Sequence, residues 1–191
     1  WRKRLEPEND AHNNGLPRAA LKMATGAGKT VVMAMLIAWQ TLNKQFAPRD
    51  VRFTNRFLII APGITIRDRL RVLLPADGEN YYDLRDLVPA DLKGGLDTAR
   101  IVITNYHSFL LKDAKEIKGV AKNTRLLLKG NRTDDPFKES KKAMVSRVLR
   151  DLGADKQQIV VFNDEAHHCY RARPIETGEK RAKEEMVENE Q

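Results

Sequence analysis

The stretch Leu21-Lys22-Met23-Ala24-Thr25-Gly26-Ala27-Gly28-Lys29-Thr30-Val31-Val32 constrains the fold of this chain more than any other, because it joins a short apolar segment to a helix through a glycine loop. A loop of this kind turns backbone N–H groups toward a phosphate, while a lysine reaches the β- and γ-phosphates and a Ser/Thr hydroxyl sits on Mg²⁺. Thr25, Gly26, Ala27, Gly28, Lys29 and Thr30 are therefore the candidate nucleotide-binding residues. The helix expected from Val31 to about residue 46 turns its positive N-terminal end toward the same anion. One position departs from the general pattern G-x-x-x-x-G-K-[ST]: Met23 stands where the first glycine belongs. The bland reading, a glycine turn opening an ordinary helix, has to explain why Gly-Lys-Thr coincides with a strand before it and a helix after it.

A chain of 191 residues, 41% of them apolar, suffices for one full α/β domain and is tight for two. The single cysteine, Cys169, excludes an internal disulfide. No apolar run reaches transmembrane length, so a cytoplasmic location without membrane contact is expected. A first residue other than Met and a charged end at Gln191 suggest a piece of something larger. The net charge of +8 points to polyanions, nucleic acid first among them.

Residues 1–15 are polar and read as a leader, with Asn13-Asn14-Gly15 as a turn. A short strand is expected over residues 18–23, and the helix after the loop is apolar nearly all round, which predicts that its Met and Trp residues lie in a core. Arg56-Phe57-Leu58-Ile59-Ile60-Ala61 is a continuous apolar run of strand length, the mark of a strand covered on both faces. Pro62-Gly63 ends it. Thr65 and Asp68 then form a capping-box pattern for a helix with Ile66, Leu70, Leu73 and Leu74 on one face. Arg67, Arg69 and Arg71 occupy the other face, either as a solvated surface or, for Arg67, as a ligand contact near a strand's C-terminal end.

Residues 75–98 read as loop with room for a short helix. Ala99-Arg100-Ile101-Val102-Ile103 is a third apolar run, followed at its C-terminal end by Thr104-Asn105-Tyr106-His107-Ser108. An insert spans about residues 112–153. Its basic part, with Lys118, Lys122, Arg125, Lys129 and Arg132, either tracks a nucleic-acid backbone or solubilises the insert. Asp135-Pro136 predicts the start of a helix reaching Leu152 and closed by Gly153.

The fourth run, Ile159-Val160-Val161-Phe162, ends in Asn163-Asp164-Glu165-Ala166-His167. A strand that carries an Asp to the rim beside a phosphate loop supplies a Mg²⁺ ligand, and an adjacent Glu can orient or deprotonate water. Thr30 and Asp164 are thus the Mg²⁺ candidates. Zinc at His167-His168-Cys169 is disfavoured, since consecutive residues diverge and no second cluster with metal spacing follows. Residues 171–191 form a charged tail without an apolar stripe.

Met-Ala-Thr-Gly-Ala-Gly-Lys-Thr together with Asp164-Glu165-Ala166-His167 resembles the DEAD/DEAH-type helicases and translocases of superfamily 2, where the first loop glycine is routinely absent. Ala61-Pro62-Gly63-Ile64-Thr65-Ile66-Arg67-Asp68-Arg69-Leu70 and Asn163-Asp164-Glu165-Ala166-His167-His168-Cys169-Tyr170 look most like the Res subunits of type III restriction enzymes and their relatives. The resemblance covers about residues 16–170. It implies a first RecA-like P-loop NTPase lobe with a central, mostly parallel sheet and helices on both faces, binding ATP and Mg²⁺. The catalytic residues would be Lys29, Asp164, Glu165 and His167, the last coupling nucleotide state to DNA. Nucleic-acid contacts would fall to Pro62, Thr65, Arg67, Thr104 and Asn105. The implied partners are duplex DNA, a second RecA-like lobe, a nuclease domain and a modification (methyltransferase) subunit. No Ser-Ala-Thr motif follows the acidic box. A P-loop kinase or other small-acceptor NTPase is one rival reading, against which the Asp-Glu-Ala-His run argues. A non-catalytic nucleic-acid-binding module is another, and ATPase activity with and without duplex DNA separates all three.

Overall fold

The computed structural model describes residues 2–24, 26–111, 139–153 and 158–166. Its elements are α1 (Arg2–His12), α2 (Lys29–Phe46), β1 (Arg56–Ala61), α3 (Ile64–Arg69), α4 (Tyr81–Leu84), β2 (Arg100–Asn105), α5 (Lys141–Val148) and β3 (Val160–Asn163), with short 3₁₀ turns between. The apolar runs become strands because they can be covered on both sides. They form a parallel three-stranded sheet in the order β2-β1-β3, an α/β arrangement.

Register decides which residues share a face. Phe57, Ile59 and Ala61 alternate inward from β1, and Phe57 pairs with Ile101 and Val160 while Ile59 pairs with Ile103 and Phe162. This face packs against Met33, Ala34, Ile37 and Ala38 of α2, and against Leu70, Leu73, Tyr82, Val88 and Leu96. The opposite face carries Arg56, Leu58 and Val102. Here the turn after α5 closes down, with Arg56 Nε donating to Leu152 O at 3.0 Å and Leu152 fully buried. Val161, on the same face of the edge strand β3, stays exposed.

Several expectations need correction. Residues 18–23 form no regular element, are exposed apart from half-buried Met23, and pair with no strand among the described residues. The backbone of Arg18 is instead engaged by the Asn9 amide, which donates to Arg18 O at 3.1 Å and accepts from Arg18 N at 2.8 Å. Leu21 is 64% exposed. In α2 only one stripe is core. Met33 is buried, whereas Met35 and Trp39 are each more than half exposed, so they are not core residues. A helix resting on one sheet face buries one stripe and leaves the other apolar positions outside.

The capping box at Thr65 and Asp68 does not form. Helix α3 begins at Ile64 with Gly63 as its cap and no side-chain cap bond, because the Pro62-Gly63 turn starts the helix before Thr65. The face expected to be apolar behaves as such, with Leu70 and Leu73 buried and Ile66 packed on the core. Helix α5 does not run continuously from Pro136. Ser140 is extended, and its hydroxyl accepts from Ala143 N, so the helix starts at Lys141. Gly153 (φ 88°) ends this region in a conformation that favours glycine. Asp135, Pro136 and the basic insert residues lie outside the described residues, as does the charged tail.

Residues 75–98 contribute more than a loop. Tyr82 is buried and donates its hydroxyl to Leu73 O at 2.8 Å. Gly95 lies against α2 so closely that a Cβ there would collide with the Gln45 side chain and stand 2.7 Å from Leu42 Cδ2.

Candidate nucleotide site and strand-end rim

Parallel pairing brings all three strand C-termini to one edge. Ala61 at the end of β1 pairs with Asn105 at the end of β2, and Ile60 pairs with Asn163 of β3. Asp164 N then donates to Ile60 O at 2.9 Å, extending the ladder by one residue. Asn105, Ala61 and Asp164 therefore stand side by side, with Asn105 and Asp164 separated by about two strand spacings, roughly 10 Å. Pro62, at the turn after β1, and Thr65 and Arg67, on α3, follow directly from the central strand. Thr65 and Arg67 are exposed, and Arg67 pairs with its neighbour Asp68 at 3.1 Å.

The glycine loop meets this edge through α2. Gly26 (φ 77°) and Gly28 (φ 85°) both adopt the left-handed conformation that glycine takes without strain. Gly28 is the cap of α2 and offers no side chain, so the N–H groups of the first turn are left without intrahelical partners. Ala27 N donates back to Ala24 O at 3.2 Å, tightening the loop. Lys29 is the first residue of the helix and Thr30 the second.

Lys29 crosses from the loop to the acids. Its Nζ donates to Glu165 Oε1 at 2.5 Å and lies 3.2 Å from Asp164 Oδ1. The hydrogen bond that Lys29 donates to Glu165 raises the lysine above its ordinary pKa, desolvation opposes this, and Asp164 adds to the rise. Asp164 is the more enclosed acid, with its side chain 11% exposed against 35% for Glu165. Glu165 has φ 50°, an uncommon backbone state for a residue other than glycine, and its N–H is 3.2 Å from Asp164 Oδ1. The turn at residues 164–166 thus directs two consecutive carboxylates at one ammonium. Thr25 and His167 lie outside the described residues.

These groups suit Mg·nucleotide chemically: hydroxyl and carboxylate oxygens for a hard cation, N–H donors and an ammonium for phosphate. Among the described residues no group of three or more His, Cys, Asp or Glu could hold a metal unaided.

At the β2 end, the residues singled out by sequence are tied to one another. Asn105 Oδ1 accepts from Ser108 N and from Ser108 Oγ, both at 3.1 Å, and Thr104 Oγ1 donates to Ser108 Oγ at 2.7 Å. The Tyr106 and His107 rings lie against each other, centroids 3.9 Å apart and planes tilted by 32°. Sequence reasoning missed the group that holds this turn from outside. Arg147 of α5 donates to Ser108 O at 3.1 Å and Leu110 O at 3.3 Å, and grips Glu139 through two bonds of 2.8 Å. Nothing in the spacing of Glu139 and Arg147 announces contact with a turn some forty residues earlier.

No helix among the described residues is long and apolar enough to cross a membrane. No curated protein and no solved structure matches the chain. The family model described as type III restriction enzyme, res subunit, matches residues 1–188.

Proposed function

Because the chain belongs to the Res-subunit family of type III restriction enzymes, a family of superfamily 2 helicase-type domains with a RecA-like P-loop fold, we propose that it is the ATP-binding motor lobe of a DNA-dependent translocase or helicase. The observation that carries this reading is Lys29, the last residue of the glycine loop signature before Thr30, resting on Asp164 and Glu165 at the adjoining strand end.

Each residue has a role that its chemistry permits. The N–H groups of residues 26–30 and the Lys29 ammonium hold the phosphates, and Thr30 with Asp164 holds Mg²⁺. When bound, Mg²⁺ supplies neutralisation of charge on the phosphate oxygens. Glu165 accepts the proton of the attacking water, and His167 couples this site to the DNA side. Pro62, Thr65, Arg67, Thr104 and Asn105 line the DNA side of the rim and touch backbone rather than bases. In the parent enzyme a second RecA-like lobe contributes arginines to the γ-phosphate side, and a nuclease domain and a modification subunit complete the restriction function. The setting is cytoplasmic.

Two variants of the parent enzyme test the reading. Lys29→Ala is expected to abolish nucleotide binding, because the triphosphate loses its charge-assisted donor. Glu165→Gln is expected to bind ATP while DNA-stimulated turnover falls by about 10²–10⁴-fold, as for loss of a general base. Unchanged nucleotide affinity in the first, or normal turnover in the second, would overturn the assignment.

A further inference from the structure

We infer that Arg147 is a positioning residue: it fixes the turn after β2 so that the Asn105 amide presents its NH₂ group to a nucleic-acid phosphate. The inference deepens the DNA-side reading of Asn105 above and rests on it. Asn105 is the end of β2, and two donors, Ser108 N–H and Ser108 Oγ–H, converge on its Oδ1. The Ser108 N–H, which can only donate, determines which way round the amide lies, and the Ser108 hydroxyl turns its proton to the same oxygen. The acceptor atom is therefore spent on the turn. Nδ2, a pure donor, makes no hydrogen bond among the described residues. A group with donors to offer and its acceptor occupied suits an acceptor-only partner such as a phosphate oxygen.

The amide keeps this orientation only while Ser108 stays in place, and Ser108 is held by Arg147. One guanidinium nitrogen donates to Ser108 O, another to Leu110 O, and the fork is locked on Glu139 by two bonds. The planar guanidinium has donors enough for all four acceptors, and a lysine cannot reproduce that geometry. Arg147 acts through Ser108 and Asn105 rather than by meeting the phosphate itself.

The experiment is a double-mutant cycle in the full-length parent enzyme, read by fluorescence anisotropy of a labelled mixed-sequence duplex at low salt without nucleotide. Asn105→Ala is expected to weaken binding about 10-fold, the scale of one charge-assisted hydrogen bond. Arg147→Ala is expected to weaken it similarly and to add nothing in the Asn105→Ala background, while ATP affinity stays unchanged. Arg147→Lys, which retains the charge, is expected to rescue only a minor part. If Arg147→Ala does not yield folded protein, Glu139→Gln takes its place, with about 3-fold weakening that also vanishes without Asn105. Full rescue by lysine, or a loss that persists in the Asn105→Ala background, would show that Arg147 acts by charge or by general structure and would overturn the inference while leaving the Asn105 contact standing. Unchanged DNA affinity in Asn105→Ala would instead remove the contact itself, and with it the inference.

Discussion

Lys29 and Glu165, 136 positions apart in the chain, meet with Nζ 2.5 Å from Oε1. The lysine proposed to hold phosphate is thus held by the acid proposed to activate water, and Asp164 shares it at 3.2 Å. On the proposed reading, a bound nucleotide would offer phosphate oxygens to the same ammonium in place of these carboxylates.

This pairing predicts a measurable but small coupling in the nucleotide-free parent. The Lys29 and Glu165 side chains are 39% and 35% exposed, so solvent screens much of their attraction. A double-mutant cycle with Lys29→Ala and Glu165→Ala, read by denaturant unfolding at low salt, should give a coupling of about 0.5 kcal/mol that shrinks as salt is added. A coupling of zero at low salt would mean that the contact contributes nothing in solution.

Thr41 offers a stability gain. It is fully buried on α2 and its Oγ1 has no hydrogen-bond partner among the described residues. An orphaned buried hydroxyl costs about 1–3 kcal/mol, while valine keeps the branched shape without the polar atom. Thr41→Val should therefore raise stability by about 1 kcal/mol, or the melting temperature by about 2–4 °C. A lower melting temperature would reveal a partner for the hydroxyl, such as a buried water.

Gly95→Ala should act in the opposite direction. The new Cβ would stand 2.7 Å from Leu42 Cδ2 and would also displace the Gln45 side chain. Gln45 can swing away, but Leu42 packs against the core and resists. Overpacking of this kind costs about 1–3 kcal/mol, and thermal unfolding of the variant checks it. An unchanged melting temperature would mean that α2 shifts freely over the turn at Lys93–Thr98.

Legibility in the sequence followed the length of each signal. Residues 56–61 and 159–162 were readable because a continuous apolar run bounded by turn residues has few alternatives to a buried strand. Once those strands are parallel, register sets Asp164 beside Ala61 and Asn105, and Lys29 reaches it from the first turn of α2. Residues 75–98 were not readable as core. Tyr82, Val88 and Leu96 enter it singly from short turns, with no period to detect. The exposed Trp39 misled for a related reason: apolarity all round a helix states what could be buried, while the area of one sheet face limits what is. Ser140 was overlooked as a cap because Asp135-Pro136 carries the stronger start signal, although Ser140 is the residue bonded to Ala143 N. The Arg147 brace was invisible, since a guanidinium gripping distant carbonyls depends on tertiary placement alone.

Tyr82 carries a prediction with a definite sign in pH. Its ring is buried and its hydroxyl donates to Leu73 O, while burial pushes the phenol well above its ordinary value of 10.0. A group whose folded pKa is raised contributes stability that is fully present below the unfolded value and is lost as pH rises past it. At neutral pH, Tyr82→Phe loses the hydrogen bond and leaves Leu73 O without its donor, so stability should fall by about 1 kcal/mol. Above pH 10 the wild-type chain must keep the phenol neutral inside while the unfolded chain ionises freely, a penalty of up to about 1.4 kcal/mol per pH unit that phenylalanine does not incur. The alkaline loss from the raised lysines, Lys29 and Lys93, is common to both proteins and cancels in the difference. Denaturant unfolding of both proteins at a series of pH values from about 8 to 11 should show the advantage of the wild type constant at first, then shrinking above pH 10. A difference that stays constant across the whole range would mean that the Tyr82 hydroxyl reaches water in the folded protein.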